Sequence, residues 1–439
     1  MSIAEFFIYV YNDWGLCAFS ILLALVIYFF LYKRFYRSIL DPLSIMILGS
    51  CMGFGVVIFL FLNNLILPIY FYSYLSTQIL FYFGFRLSHL GKKVPIIKTT
   101  KIFDLQEFTK CFYIGAVMID VCAQLVQYKQ SGIPLFMSSR LNAMADANGA
   151  GILTRFIDIS RAFTVLMSFF FLQKKNSTQT LRIFSRIYLF FVVVCCFLSG
   201  ARSSLLVFAT SFFFYVTIFE ESQPYLKKVL RRYEPKIIII LGVFVICVNT
   251  VKYGNVIAGV GEFGVRLLCS GDAYFYAYPN QLIEQVDSTQ PFKSIFSSFL
   301  GFFRIYPYEE LPNPIGLDLY RLFSDNGDIG GPNARHNIVS YLYFGLIGGA
   351  IFSFILGTIA GFFRRLFFSK KYKSLLGASV FAWLYSASCS IETDVNSYLF
   401  NINSFIVVFP IIFLVGSVIY ISLRLSKMAR LQTCKPLTR

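Results

Sequence analysis

The chain has 439 residues, of which 57% are hydrophobic and only 14% charged, with a formal net charge of +17. A soluble globular domain carries about 25% charged residues, so a soluble enzyme and a soluble domain hung on one anchor are both excluded. Apolar stretches recur from end to end, and the chain reads as an all-α polytopic integral membrane protein.

Taken in order, the first apolar run covers 14–32. No basic, cleavable signal peptide precedes it, so it is expected to stay as a span. Further apolar segments of roughly 17–25 residues, the length that crosses a bilayer core, fall at 43–62, 66–87, 108–128, 153–172, 183–199, 204–219, 237–253, 337–362, 375–391 and 400–423. These predict about eleven transmembrane helices. The third is Tyr-rich and follows Asn63-Asn64 and Pro68, and the tenth is short. Three regions result: 1–253 with eight helices and the connecting loop 129–154, a long loop 254–336, and 337–439 with three helices and a basic tail. No internal repeat or low-complexity stretch is present. The long loop is rich in Tyr, Phe, Pro and Gly, so it is expected to be structured. Within it, 291–307 (PFKSIFSSFLGFFRIYP) has helical periodicity. Phe292, Phe296, Phe299 and Phe303 share one face, opposite Lys293, Ser297, Gly301 and Arg304. An amphipathic helix lying on the membrane surface is expected; packing on the loop's own core is the alternative.

The positive charge is not spread as a nucleic-acid-binding protein would spread it. Segments 33–42, 86–110, 173–186, 220–236, 363–374 and 424–439 hold 28 of the 39 Lys and Arg but 6 of the 22 acids. All six fall on the same side of an eleven-span topology. By the positive-inside rule that side is cytoplasmic, with the amino terminus outside and the carboxyl terminus inside. Of the ten cysteines, most lie in apolar segments, with no CxxC or Cys/His spacing. Neither a disulfide framework nor a metal site is expected.

On the opposite side the cations are mostly arginines: Arg140, Arg155, Arg161, Arg202, Arg266, Arg304, Arg321 and Arg335. Arginine grips phosphate by two parallel hydrogen bonds and stays charged in a partly dry site. A pocket for a phosphate-bearing ligand follows, the alternative being helix caps and local ion pairs. Arg202 is the sharpest case, since it stands in an apolar hairpin (CCFLSGARSSLLVF, 195–208) with no acid within ten residues. Asp120, with Gln124 and Gln127 at i+4 and i+7, makes a polar stripe inside a span. Asp120 and Gln124 are expected to line a cavity, or else Asp120 pairs with a base on another helix. His336, at the exit of the long loop, is a candidate to accept a proton from a hydroxyl, unless it is only a hydrogen-bonded helix-entry residue.

Four short stretches resemble the O-antigen polymerase (Wzy) family. They are SGIPLF (131–136) with Arg140, ten residues and Gly151; LSGARSSLL (198–206); RLLCSGDAYFYAYP (266–279); and RHN (335–337) with YFGLIGG (343–349). A second, longer Arg-x15-Gly pattern of the family is absent. The resemblance implies a metal-independent, cofactor-free glycosyltransferase of GT-C-like helical architecture in the bacterial inner membrane. It would transfer a growing glycan from undecaprenyl diphosphate to the non-reducing-end sugar of another lipid-linked repeat unit, on the periplasmic face. In that setting Arg140, Arg202, Arg266, Arg304 and Arg335 would hold the diphosphate, and Arg202 would also stabilise the leaving group. His336 or Asp272 would activate the acceptor, and Tyr274, Tyr276 and Tyr278 would stack on sugars. A chain-length regulator is an implied partner, and nucleic acid is not. An O-antigen ligase acting on lipid A core, and a lipid-linked oligosaccharide flippase, remain the alternatives.

Overall fold

Helix starts follow the chemistry of an exposed first turn, whose backbone N–H groups lack partners and take a side-chain oxygen. The computed structural model describes residues 1–89, 105–137, 150–173, 178–199, 205–220, 224–323, 331–369 and 374–433. Ser2 and Glu5 form a capping box on α1 (Ile3–Asn12), which leads into α2 (Trp14–Tyr32). Asp41 caps α3 (Pro42–Leu62), with proline at the first helical position. Pro68 likewise opens α4 (Pro68–Leu87). Next come α5 (Leu105–Ser131), α6 (Ala150–Gln173), α7 (Gln179–Leu198) and α8 (Leu206–Phe219). The long α9 (Tyr225–Tyr253) carries Pro235 within it and ends at Gly254 in the left-handed region. Five short helices follow: α10 (Val256–Leu268), α11 (Asp272–Ala277), α12 (Pro291–Ile295), α13 (Ser297–Phe302) and α14 (Ile315–Arg321). The last three are α15 (His336–Ser369), α16 (Leu375–Cys389) and α17 (Val395–Thr433), the last capped by Asp394. No strand occurs among the described residues.

Ten of the eleven predicted apolar segments coincide with a continuous helix, and the segment 337–362 lies in a helix interrupted at Gly345. Eight helices are long and apolar enough to cross a membrane: Trp14–Tyr32, Pro42–Leu62, Glu107–Phe136, Gly151–Gln173, Gln179–Leu198, Tyr225–Val251, His336–Ser369 and Val395–Ala429. The chain is thus an α-helical membrane protein. The helices α8 and α16 are apolar but shorter. The third segment, α4, is 20 residues long but interrupted by Tyr, Ser, Thr and Gln.

The chain divides into two compact units. The first gathers Met1–Val94, Gln223–Lys370 and Leu384–Ile402; the second gathers Pro95–Ser222, Lys371–Trp383 and Asn403–Arg439. In the first unit α4 and α15 run side by side with their backbones in contact. A Cβ at Gly357 would fall on the Phe81 carbonyl oxygen, one at Gly361 on that of Phe85, and one at Gly84 on that of Phe354. Small residues are what permit such approach between helices in lipid, where packing rather than water exclusion drives association. Within the second unit α5 and α6 pair along their length.

Two expectations are corrected. The predicted span 337–362 is a hairpin. Gly345 has φ +65° and ψ −162°, a region open in practice only to glycine. The arms on either side double back, so that Ser340 and Ser353 hydroxyls lie 2.9 Å apart. Thirteen residues of straight helix would hold them roughly 20 Å apart. The predicted amphipathic helix 291–307 is two short helices broken at Phe296, where φ −97° and ψ 13° end the first. Arg304 follows in the left-handed region at φ +52°. Phe292, Phe296 and Phe303 are nevertheless exposed, as periodicity required.

Gly345→Ala is expected to lower stability by about 1–3 kcal/mol through backbone strain alone, since nothing lies within 4 Å of the added methyl. Gly357→Leu is expected to separate α4 from α15 and to abolish the monodisperse peak in fluorescence-detected gel filtration. Gly242→Ala, at an open helical position, is the control that leaves both readouts intact.

Candidate functional site

The segment 269–278 and the loop exit 334–340 enter the interior of the first unit. Gly271 allows this, because a Cβ there would meet Val56 and the backbone of Gly53 on α3. Arg335, 3% exposed, is the residue on which both segments converge. Its Nη1 donates to both carboxylate oxygens of Glu392, at 3.1 and 2.9 Å. Its Nε and Nη2 donate to the Ser270 carbonyl at 3.0 and 2.7 Å, and Nη2 also to the Gly49 carbonyl at 2.9 Å. All three guanidinium nitrogens are engaged, so a diphosphate could reach this arginine only by displacing Glu392. The expected phosphate ligand is a buried structural pair instead.

His336 is fully buried. Its Nδ1 sits 3.2 Å from the Glu392 carbonyl oxygen, and its ring packs on Phe81 at 4.7 Å between centroids. The helix-entry alternative is what the geometry gives, and no substrate hydroxyl can touch the imidazole in this arrangement. Asn337 beside it accepts from the Tyr274 hydroxyl at 2.7 Å and donates to Thr77 Oγ1 and Gln78 Oε1 on α4. Tyr274, Tyr276 and Tyr278 fall on α11 and its cap, all buried. Tyr278 stacks on Tyr70 at 5.1 Å and Tyr276 packs against Phe323 at 5.4 Å. They are core residues, and the sugar-stacking role has no exposed ring to perform it.

Asp272 differs from its neighbours. It is half-buried at the start of α11, with the Ala273 N–H donating to Oδ1 at 2.9 Å. Burial pushes its carboxyl up to about 6, against the opposing pull of that N–H and of Arg335 and Arg266. Arg266, one helix earlier, is exposed and pairs with Glu262 at 3.0 Å. Arg304 is exposed and makes no side-chain hydrogen bond or ion pair. Of the predicted site residues in this unit, Asp272, Arg266 and Arg304 are accessible, while Arg335 and His336 lie beneath. Arg140 and Arg202 lie outside the described residues.

In the second unit, Asp120 is fully buried and pairs with Arg161 of α6 at 3.2 Å. It also accepts from the Tyr188 hydroxyl at 2.7 Å. Gln124 accepts from the same Arg161 at 2.8 Å. These residues were expected to line a cavity; the alternative of an ion pair between helices is what the structure contains.

Sequence reasoning missed the acids that hold the first unit together. Glu392 and Asp394 are the only acids after His336, and in a basic, apolar stretch that isolation was the available signal. Asp41 pairs with Arg364 at 2.9 Å, and Tyr385 bonds to both. Glu284 accepts from Tyr70 and Tyr341 at 3.2 and 3.1 Å. Among the described residues no cluster of His, Cys, Asp and Glu could hold a metal ion. No protein-family model matches the chain, and no curated protein or solved structure matches it at a meaningful level.

Removing one partner of a buried pair leaves a bare charge and costs about 3–5 kcal/mol, whereas replacing both by apolar groups of like volume costs far less. Thermal melts of Glu392→Leu, Arg335→Met and the double variant should show this: each single change strongly destabilising, the double less so than either. For Asp272 the folded pKa is raised from 3.8 to about 6. Its contribution favours the fold below pH 4, falls as pH rises through 4–6, and stays lost above. Asp272→Asn is expected to stabilise the protein at pH 8 by at most about 3 kcal/mol and to leave it unchanged at pH 4, as read by melting at the two pH values.

Proposed function

We propose that this chain is a bacterial inner-membrane glycosyltransferase that polymerises lipid-linked oligosaccharide repeat units. In this reading the growing glycan leaves undecaprenyl diphosphate and joins the outermost sugar of another lipid-linked unit, on the periplasmic side. The four motif stretches and the one-sided distribution of basic residues support it. The observation that carries it furthest is Asp272: a partly accessible carboxyl, held near 6, close to two arginines and preceded by the exposed Arg266. A general base works best when its pKa lies near the working pH. Asp272 is then the group that takes the acceptor hydroxyl's proton as the glycosidic oxygen–carbon bond to diphosphate breaks.

The leaving diphosphate needs positive charge in place as it forms. Arg202 and Arg140 are assigned that task from their sequence context, with Arg266 and Arg304 as exposed partners. Arg335 is withdrawn from this set and becomes a positioning residue, since its hydrogen bonds fix the segment that carries Asp272. His336 is withdrawn as the base, being sealed inside the first unit.

Reconstitution of the full chain in liposomes with a defined undecaprenyl-diphosphate-linked repeat unit tests the proposal. A ladder of polymer is expected, insensitive to chelators. Its rate should rise with pH through about 6, as Asp272 loses its proton, and Asp272→Asn should flatten that rise. Arg202→Ala should abolish long product with protein levels intact, and Arg202→Lys should restore little of it. Transfer only to lipid A core would make the protein a ligase, and lipid movement with no new bond would make it a transporter; either overturns the proposal.

A further inference from the structure

The second unit holds an acid that no part of the scheme above uses. On α6, Thr154, Asp158 and Arg161 fall on one face at i, i+4 and i+7. The partner helix α5 answers in reverse order. Gln127 Nε2 donates to Thr154 Oγ1 at 3.0 Å, and Arg161 donates to Gln124 and Asp120 at 2.8 and 3.2 Å. Gln124 donates in turn to Gln127 at 3.3 Å, closing a continuous polar strip. Asp158 sits in the middle of this face, and its residue is exposed although many atoms surround its carboxylate, which makes no hydrogen bond or ion pair. It lies within the apolar helix Gly151–Gln173. A bare carboxylate turned to hydrocarbon costs on the order of 3 kcal/mol on insertion scales, so this one faces water or a ligand.

Charge decides what that ligand is. Arg161 stands against two carboxylates, Asp120 and Asp158, so the strip carries one negative charge in excess. A diphosphate would be repelled. A sugar fits: each hydroxyl both donates and accepts, and the strip offers a carboxylate acceptor beside a hydroxyl, amides and a guanidinium. We infer that Asp158, with Thr154 and Gln127 alongside, binds the hydroxyl groups of the acceptor glycan. This rests on the glycosyltransferase reading and adds to it a residue for acceptor recognition.

The test uses the full-length protein in nanodiscs and, as probe, the oligosaccharide repeat unit released by mild acid from the carrier lipid of the producing cells. Calorimetric titration should show the glycan binding to the wild type and at least tenfold more weakly to Asp158→Ala. Asp158→Glu should recover part of the affinity, and inorganic pyrophosphate binding should change less than twofold. In the polymerisation assay, Asp158→Ala should raise KM for the acceptor tenfold or more while KM for the donor stays within twofold. Unchanged glycan affinity and acceptor KM would overturn the inference and leave the polymerase reading standing. A wild type that binds glycan but makes no polymer would sink the polymerase reading and keep the subsite. Loss of a sodium or proton dependence in Asp158→Ala, with glycan affinity intact, would reassign the carboxylate to a cation and overturn the inference.

Discussion

The first unit is organised around one buried ion pair. Arg335 and Glu392 lie 57 residues apart in sequence, and taking two charges out of water is costly unless every lone pair and N–H is met. Here the need is met by Gly49 on α3 and Ser270 before α11, both through backbone carbonyls. The pair therefore joins four separate stretches of chain at one point, and it holds the loop between α10 and α15 against the helices. A second pair, Asp41 with Arg364 and Tyr385, ties the start of α3 to the far end of α15. In the second unit Asp120, Arg161 and Tyr188 perform the same service for α5, α6 and α7.

These pairs explain how a chain so poor in charge can use its few acids. Helices in lipid gain little from the hydrophobic effect when they meet, so close backbone approach and interhelical polar contacts must hold them. Gly84, Gly357 and Gly361 supply the first, and the buried pairs supply the second. The hairpin at Gly345 then turns a nominal span into two arms, the first of which carries His336 and Asn337 down to Phe81 and Thr77. Burial of this arm seals His336 inside the first unit, while Asp272 stays half-exposed.

The two units thus offer different chemistry. The first presents a carboxyl near neutrality with exposed arginines; the second presents a polar strip whose spare charge is negative.

The helices and their apolar character were legible in the sequence, because a stretch of about twenty apolar residues has few alternatives to a helix when its backbone must satisfy its own hydrogen bonds. The pairing of polar groups was not legible. Arg335, His336 and Tyr274 read as site residues because a polar or aromatic group in an apolar chain invites that reading, yet each is buried against a hydrogen-bond partner tens or hundreds of residues away. Only the tertiary structure decided which polar groups meet one another and which, like Asp158 and Arg304, are left without a partner. Helical periodicity is a local property, whereas the matching of a buried charge to its counter-charge depends on distances that sequence spacing does not contain.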